Sequence, residues 1–126
     1  MLMNQTPERK ENPALEKSYT FALRIVKLYR HLCEEKKEFV LSKQVLRSGT
    51  SIGANVEEAC GGQSDKDFTA KIGIAYKEAR ETHYWLRLLR DSEYLQNNLS
   101  ESVLSDCGEL IKILGSIQKT MQNKLY

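Results

Sequence analysis

Proline ends at position 13. The chain has two prolines, Pro7 and Pro13, and none from Ala14 to Tyr126. A proline costs about 3 kcal/mol in a helix interior, so the whole body is free to be helical. The 126 residues are 40% hydrophobic and 29% charged, enough for one modest core. A chain of this size buries roughly two-thirds of its unfolded surface and needs no disulfide or metal to fold. One all-α domain is expected, and the composition excludes collagen-like, disulfide-scaffold and low-complexity classes. Cys33, Cys60 and Cys107 make no Cys-x-x-Cys pair and no zinc-spaced cluster. They read as small buried hydrophobes in a reducing cytosol. Residues 1–8 lack the apolar stretch of a signal peptide, and no run approaches the ~20 apolar residues of a membrane span. A cytoplasmic protein without membrane contact is the expectation.

Residues 1–11 are polar and aperiodic and read as a disordered arm before a four-helix bundle over 12–126. Asn12-Pro13 marks a helix start, with Asn as N-cap and Pro at the first helical position. Helices are expected at about 13–35, 41–60, 65–91 and 99–123. The first buries Ala22, Ile25, Val26, Tyr29, Leu32 and Cys33, at the i, i+3, i+4, i+7 spacing of one face. The all-charged run Glu34–Glu38 makes the first corner. The second carries Leu41, Val45, Ile52, Val56 and Ala59, interrupted by Ser48-Gly49-Thr50-Ser51-Ile52-Gly53. Those residues cost a helix roughly 3–4 kcal/mol against alanine. The apolar phase nevertheless runs unbroken from Val45 to Val56, which favours helix over loop. Gly49 and Gly53 share a face and admit a close neighbour. A phosphate-binding loop is excluded, since no Lys-Ser/Thr follows the second glycine and no strand precedes the first.

Gly61-Gly62 ends the second helix, and Ser64 with Asp67 resembles a capping box. The third helix holds a 4-3 spacing through Phe68, Ile72, Ala75, Ala79, Thr82, Leu86 and Leu89, widened by Ile74, Trp85 and Leu88. Asn98 with Glu101 suggests a further capping box. The fourth helix buries Val103, Cys107, Leu110, Leu114, Ile117 and Met121. Four amphipathic segments with short connections make an up-down-up-down bundle.

Three stretches carry a family resemblance. They are Ser18 to Tyr29, Gln44 to Ala59, and Gln63 to Phe68 continuing through Lys77 to Leu86. The run R-S-x-x-S-I-x-A-N-x-x-E, Arg47 to Glu58, is the most specific. Over about residues 12–95 the chain resembles the bacterial four-helix-bundle proteins first noticed in intervening sequences of 23S ribosomal RNA genes. The departure is Ala59, where those proteins usually carry glycine. The resemblance implies a protomer that assembles into a homopentameric ring. More distantly, the chain is similar to the accessory subunit of diversity-generating retroelements, a basic pentamer that engages nucleic acid and a reverse transcriptase.

The candidate chemistry is sparse. Glu58, Glu78 and Glu81 invite a carboxylate-bridged metal site, but that site wants Glu-x-x-His on two helices. Leu28 and Arg80 stand three before His31 and His83, so no metal or cofactor is expected. No nucleophile–base motif stands out, so no enzyme is expected. Arg47, Asn55, Glu58 and Glu81 are read as a structural polar network at the helix crossing, because a carboxylate drawn from solvent needs such partners. Trp85 is read as core or as a subunit contact.

Charge is more informative by position than in total. From Lys66 to Arg90 the bases Lys66, Lys71, Lys77, Arg80, Arg87 and Arg90 outnumber Asp67, Glu78 and Glu81. Lys66, Lys77, Arg80 and Arg87, with Tyr84, form a stripe off the apolar face. Lys17, Arg24 and Lys27 make a second strip on the first helix, to which Lys43 and Arg47 add. A net charge of +2 per chain becomes about +10 in a pentamer. Such stripes bind phosphate backbones without reading bases, and Tyr84 suits base stacking. RNA or DNA, a second copy of the chain, and a partner protein docked on the ring are the expected partners.

Overall fold

The computed structural model describes residues 12–125, so the expected N-terminal arm lies outside the described residues. The chain forms α1 (Pro13–Glu34), α2 (Leu41–Cys60), α3 (Asp65–Asp91) and α4 (Asn97–Leu125), with no strand among the described residues. Residue pairs across the helices fix their directions. Gly49 faces Ile25 while Gly53 faces Ser18, so α2 runs back along α1. Ser48 meets Thr82 and Glu58 meets Lys71, so α3 reverses again. Cys107 reaches the Ala79 carbonyl and Lys124 reaches Asp65, which turns α4 antiparallel to α3. Each helix packs on its sequence neighbours, and α1 and α4 meet least. The arrangement is up-down-up-down.

The core runs the length of the bundle. Ile25, Leu32, Val45, Ile52, Ile72, Leu86, Leu89, Val103 and Leu114 are fully shut from solvent. The core stripe of α1 differs from the expected one. It is Ala14, Ser18, Phe21, Ile25, Leu28 and Leu32, whereas Ala22, Val26, Tyr29 and Cys33 are only half-buried. The apolar sector of α1 is wider than one face, and periodicity alone selected its edge. The expectation of three buried cysteines holds for Cys107 alone; Cys33 is half-buried and Cys60 exposed.

The glycine-rich middle of α2 is helical because it is buried. Ser48, Gly49, Ile52 and Gly53 all face inward. A Cβ on Gly49 would lie 2.9 Å from both γ carbons of Ile25, and one on Gly53 would lie 3.2 Å from the Ser18 carbonyl oxygen. The two positions let α1 sink onto α2, and that packing offsets the propensity cost. On the other side of α2, the buried Ser48 and Thr82 hydroxyls meet at 2.8 Å.

The helix ends follow local hydrogen bonding. Asn12 Oδ1 accepts the Leu15 N–H at 3.0 Å, and Ser64 Oγ accepts the Asp67 N–H at 3.0 Å. Gly61 ends α2 without a left-handed turn, at φ −93°. Gly62 is needed for space instead, since a Cβ there would lie 3.1 Å from the Ala59 carbonyl oxygen. Asn98 sits inside the first turn of α4, where its side chain takes the adjacent Leu99 N–H at 2.8 Å. The expected Asn98–Glu101 box is therefore not the cap.

The charged corner hides a buried carboxylate. Lys37 adopts φ 53°, and the chain then delivers Glu38, 8% exposed, beneath the start of α2. Its two oxygens accept the N–H groups of Val40 (3.1 Å), Leu41 (2.9 Å) and Ser42 (2.7 Å). They satisfy donors that every helix start leaves open. Burial pushes the Glu38 carboxyl up, but the bonds from Leu41, Ser42 and Val40 outweigh it and hold the carboxyl below its ordinary value.

Gly49→Ala should destabilise the fold by about 1–2 kcal/mol, overpacking set against the helix-propensity gain. Gly108→Ala meets nothing within 4 Å and should stabilise by up to about 1 kcal/mol. Denaturant melts check both, and a stabilised Gly49→Ala protein would show that the close approach has no role. The depressed Glu38 carboxyl contributes stability that is complete above the ordinary carboxylate value near 4.5. That contribution is lost as the pH falls through the lower folded value, where the unfolded chain takes the proton first. Glu38→Ala should cost about 1–2 kcal/mol at neutral pH and flatten this acid limb in pH-resolved melts.

Candidate functional site

The basic side chains sort by what they touch. On α1, Lys17 Nζ lies 3.1 Å from Glu109 Oε2. Arg24 gives Nη1 to Asp106 Oδ2 at 2.7 Å and Nη2 to Ser102 Oγ at 2.8 Å. Both therefore strap α1 to α4 across the loosest joint of the bundle and do not form a free cationic strip. Lys27, the third member, has no carboxylate within 4 Å among the described residues. The α1 strip is thus divided between two jobs that sequence spacing alone could not separate.

The α3 face is different. Lys66, Lys77, Arg80 and Arg87 are exposed and make no ion pair among the described residues. Two of them lie against tyrosines of the preceding turn. Arg80 Nη1 donates to Tyr76 Oη at 3.1 Å, with its guanidinium 5.9 Å from the ring centre. The Arg87 guanidinium is also 5.9 Å from the ring centre of Tyr84, which is 47% exposed. These are loose cation–π contacts at solvent, and they hold the two arginines along the helix. The Tyr84 ring is steadied from below by Trp85, edge-on at 5.0 Å.

His83 lies beside this face; the sequence raised it only as a metal ligand and not as a member of the basic stripe. Its Nδ1 accepts the Arg87 Nε–H at 3.1 Å, which requires an unprotonated Nδ1. Burial, then the charges of Arg87, Arg80 and Arg90, hold the imidazole below its ordinary pKa. Its place one turn before Arg87 is the sequence signal that could have found it.

The expected polar network is brought together only in part. Arg47 bonds Glu81 and lies 3.3 Å from Glu78 Oε1, with Gln44 Oε1 3.4 Å from its Nε. Trp85 Nε1 donates to the same Glu81 oxygen at 2.9 Å, so the indole packs against the core while its polar edge is satisfied. Asn55 and Glu58 are not members. Asn55 Nδ2 bonds back to the Ser51 carbonyl at 2.8 Å, and Glu58 pairs with Lys71 at 2.7 Å. Asn55 lies eight residues beyond Arg47, about 12 Å along the helix, out of reach of the Arg47 cluster. Glu78 and Gln44 take the places expected of them. Among the described residues, no group of three or more His, Cys, Asp or Glu side chains is placed to hold a metal ion. No helix of the described residues is long and apolar enough to cross a membrane.

The Arg47–Glu81 pair is partly exposed, with side chains 48% and 37% accessible, so its value is modest. A double-mutant cycle of Arg47→Ala and Glu81→Gln should give a coupling of about 0.2–1 kcal/mol. Tryptophan fluorescence should shift in Glu81→Gln as the indole loses its charged acceptor. Unchanged melting and unchanged emission would remove the network from any role in helix register.

The comparisons with known proteins fit this architecture. The family model of the 23S rRNA-intervening sequence protein matches residues 10–116. The crystal structure of a protein of unknown function from the S23 ribosomal protein family of Bacteroides thetaiotaomicron is 55% identical, with a TM-score of 0.84. The match covers 87% of this chain and 98% of that one. No curated protein matches the chain. With the family pattern spanning nearly all of the four helices, the chain belongs to the 23S rRNA-intervening sequence protein family.

Proposed function

We propose that the protein is a cytoplasmic, non-enzymatic, homo-oligomeric bundle that binds nucleic acid through the outer face of α3. One observation carries this reading. Among the described residues, Lys66, Lys77, Arg80 and Arg87 pair with no carboxylate, while Lys17 and Arg24 are neutralised across the α1–α4 seam. A row of free cations interleaved with an exposed tyrosine suits a phosphate backbone with a base laid on Tyr84. The pentamer is the assembly that the sequence resemblance implies. Tyr19 and Leu23, 63% and 52% exposed on α1, supply an apolar flank that a subunit contact would cover. Repetition around a ring would multiply a weak positive face into a strong field. The same apolar flank favours a second reading, a scaffold that docks a partner protein.

Salt-titrated binding to mixed RNA and DNA tests the first reading. Affinity should fall steeply with salt, and an Arg80→Glu/Arg87→Glu double variant should lower the slope by about 2. Tyr84→Ala should weaken single strands while leaving duplex binding nearly unchanged. Binding that ignores salt, or survives the double variant, overturns the proposal. A partner that remains bound after nuclease treatment supports the scaffold instead. Light scattering with and without RNA reads the assembly, against 14.5 kDa for one chain.

A further inference from the structure

The α1–α4 seam is the loosest of the four joints, and beyond Arg24 it opens into a hollow of about 210 Å³. Its lining is Arg24, Lys27, Leu28, His31, Leu99 and Val103. Leu28 rises from α1, and Leu99 with Val103 rises from α4, to make an apolar floor. Val103 is fully buried and Leu28 nearly so, which makes the floor part of the core surface. Arg24, Lys27 and His31 stand on α1 around the mouth, spread over seven residues or about 10 Å. The lining contains no carboxylate. Arg24 bonds Asp106 and Ser102 of α4 and so closes one end of the hollow. Lys27 has no carboxylate within 4 Å among the described residues.

We propose that this hollow binds a small amphipathic carboxylate, an aryl or branched-chain acid. Its apolar body rests on Leu99 and the accessible edge of Leu28, with Val103 directly beneath, and its carboxylate meets Lys27 and His31. The charge at the mouth is of one sign, so it selects an anion and rejects an amine of the same shape. The volume lies below the range of about 300–1,000 Å³ typical of drug-sized ligands, so the ligand is small and its affinity modest. A floor that is fully apolar with polar groups confined to the mouth favours a ligand whose charge sits at one end. The site is separate from the α3 face, and its fate does not bear on the proposed nucleic-acid role.

The test is a titration of the full chain followed by methyl NMR. The probes are 3-phenylpropionate, its neutral amide and phenethylammonium. The carboxylate should shift the methyl signals of Leu28, Leu99 and Val103 together, and the amide should bind about tenfold more weakly or worse. Phenethylammonium should not bind. Lys27→Glu, an exposed substitution outside the core, should weaken the carboxylate by about tenfold or more while leaving the melting temperature unchanged. Equal binding of acid and amide, shifts centred elsewhere, or full affinity in Lys27→Glu overturns the proposal. Lys119→Glu, an exposed charge reversal sixteen residues beyond Val103 on α4 and so about 24 Å from the hollow, serves as a folded control that should retain binding.

Discussion

The bundle depends on the absence of two side chains. With hydrogen in place of a methyl at Gly49 and Gly53, α1 settles until Ile25 and the Ser18 carbonyl touch α2. That contact decides which sector of a broadly apolar helix becomes core. It turns Phe21, Ile25 and Leu28 inward and leaves Tyr19 and Leu23 outside. It also draws α1 to one side of the bundle. The opposite joint, with α4, is the loosest of the four and carries two ion pairs and a hollow. One local spacing on α2 thus accounts for three surface features: an exposed apolar flank, a strapped seam and an open pocket.

Much of the fold was legible because the signals were periodic. The stripe of α3, Ile72 through Leu89, runs unbroken, and every one of its inward positions past Phe68 is buried. The glycines of α2 were legible because the apolar phase continued through them. On α1 the apolar residues filled more than one face, so no periodic reading could distinguish Ile25 and Phe21 from Val26 and Ala22. Only the depth of contact with Gly49 decides between them. Glu38 was hidden for another reason. In a run of five charges nothing local marks the one that turns under and caps the next helix. That role depends on a left-handed Lys37 and on the three N–H groups it meets.

The candidate surface was less legible than the fold, because charge partners are chosen by tertiary distance. Arg24 and Asp106 lie 82 residues apart, and no spacing rule on α1 could have shown that Arg24 is spoken for while Lys27 is not. On α3 the reverse holds. Tyr76, Arg80, Tyr84 and Arg87 lie within one helix, and their mutual contacts follow from i, i+4 and i, i+3 neighbourhood. Local surfaces are readable from sequence, and surfaces that span a joint are not. Glu58 shows the same limit, being drawn across the joint to Lys71.

The seam between α1 and α4 also bears on how the chain comes together. Every other helix contact joins neighbours in sequence, so three of the four joints can form with short loop closures. Such topologies fold quickly. The α1–α4 joint alone must wait for helices far apart in sequence to meet, and the ion pairs across it are of small individual worth. The longest loop closure and the loosest contact therefore coincide at one joint, that between the first and last helices.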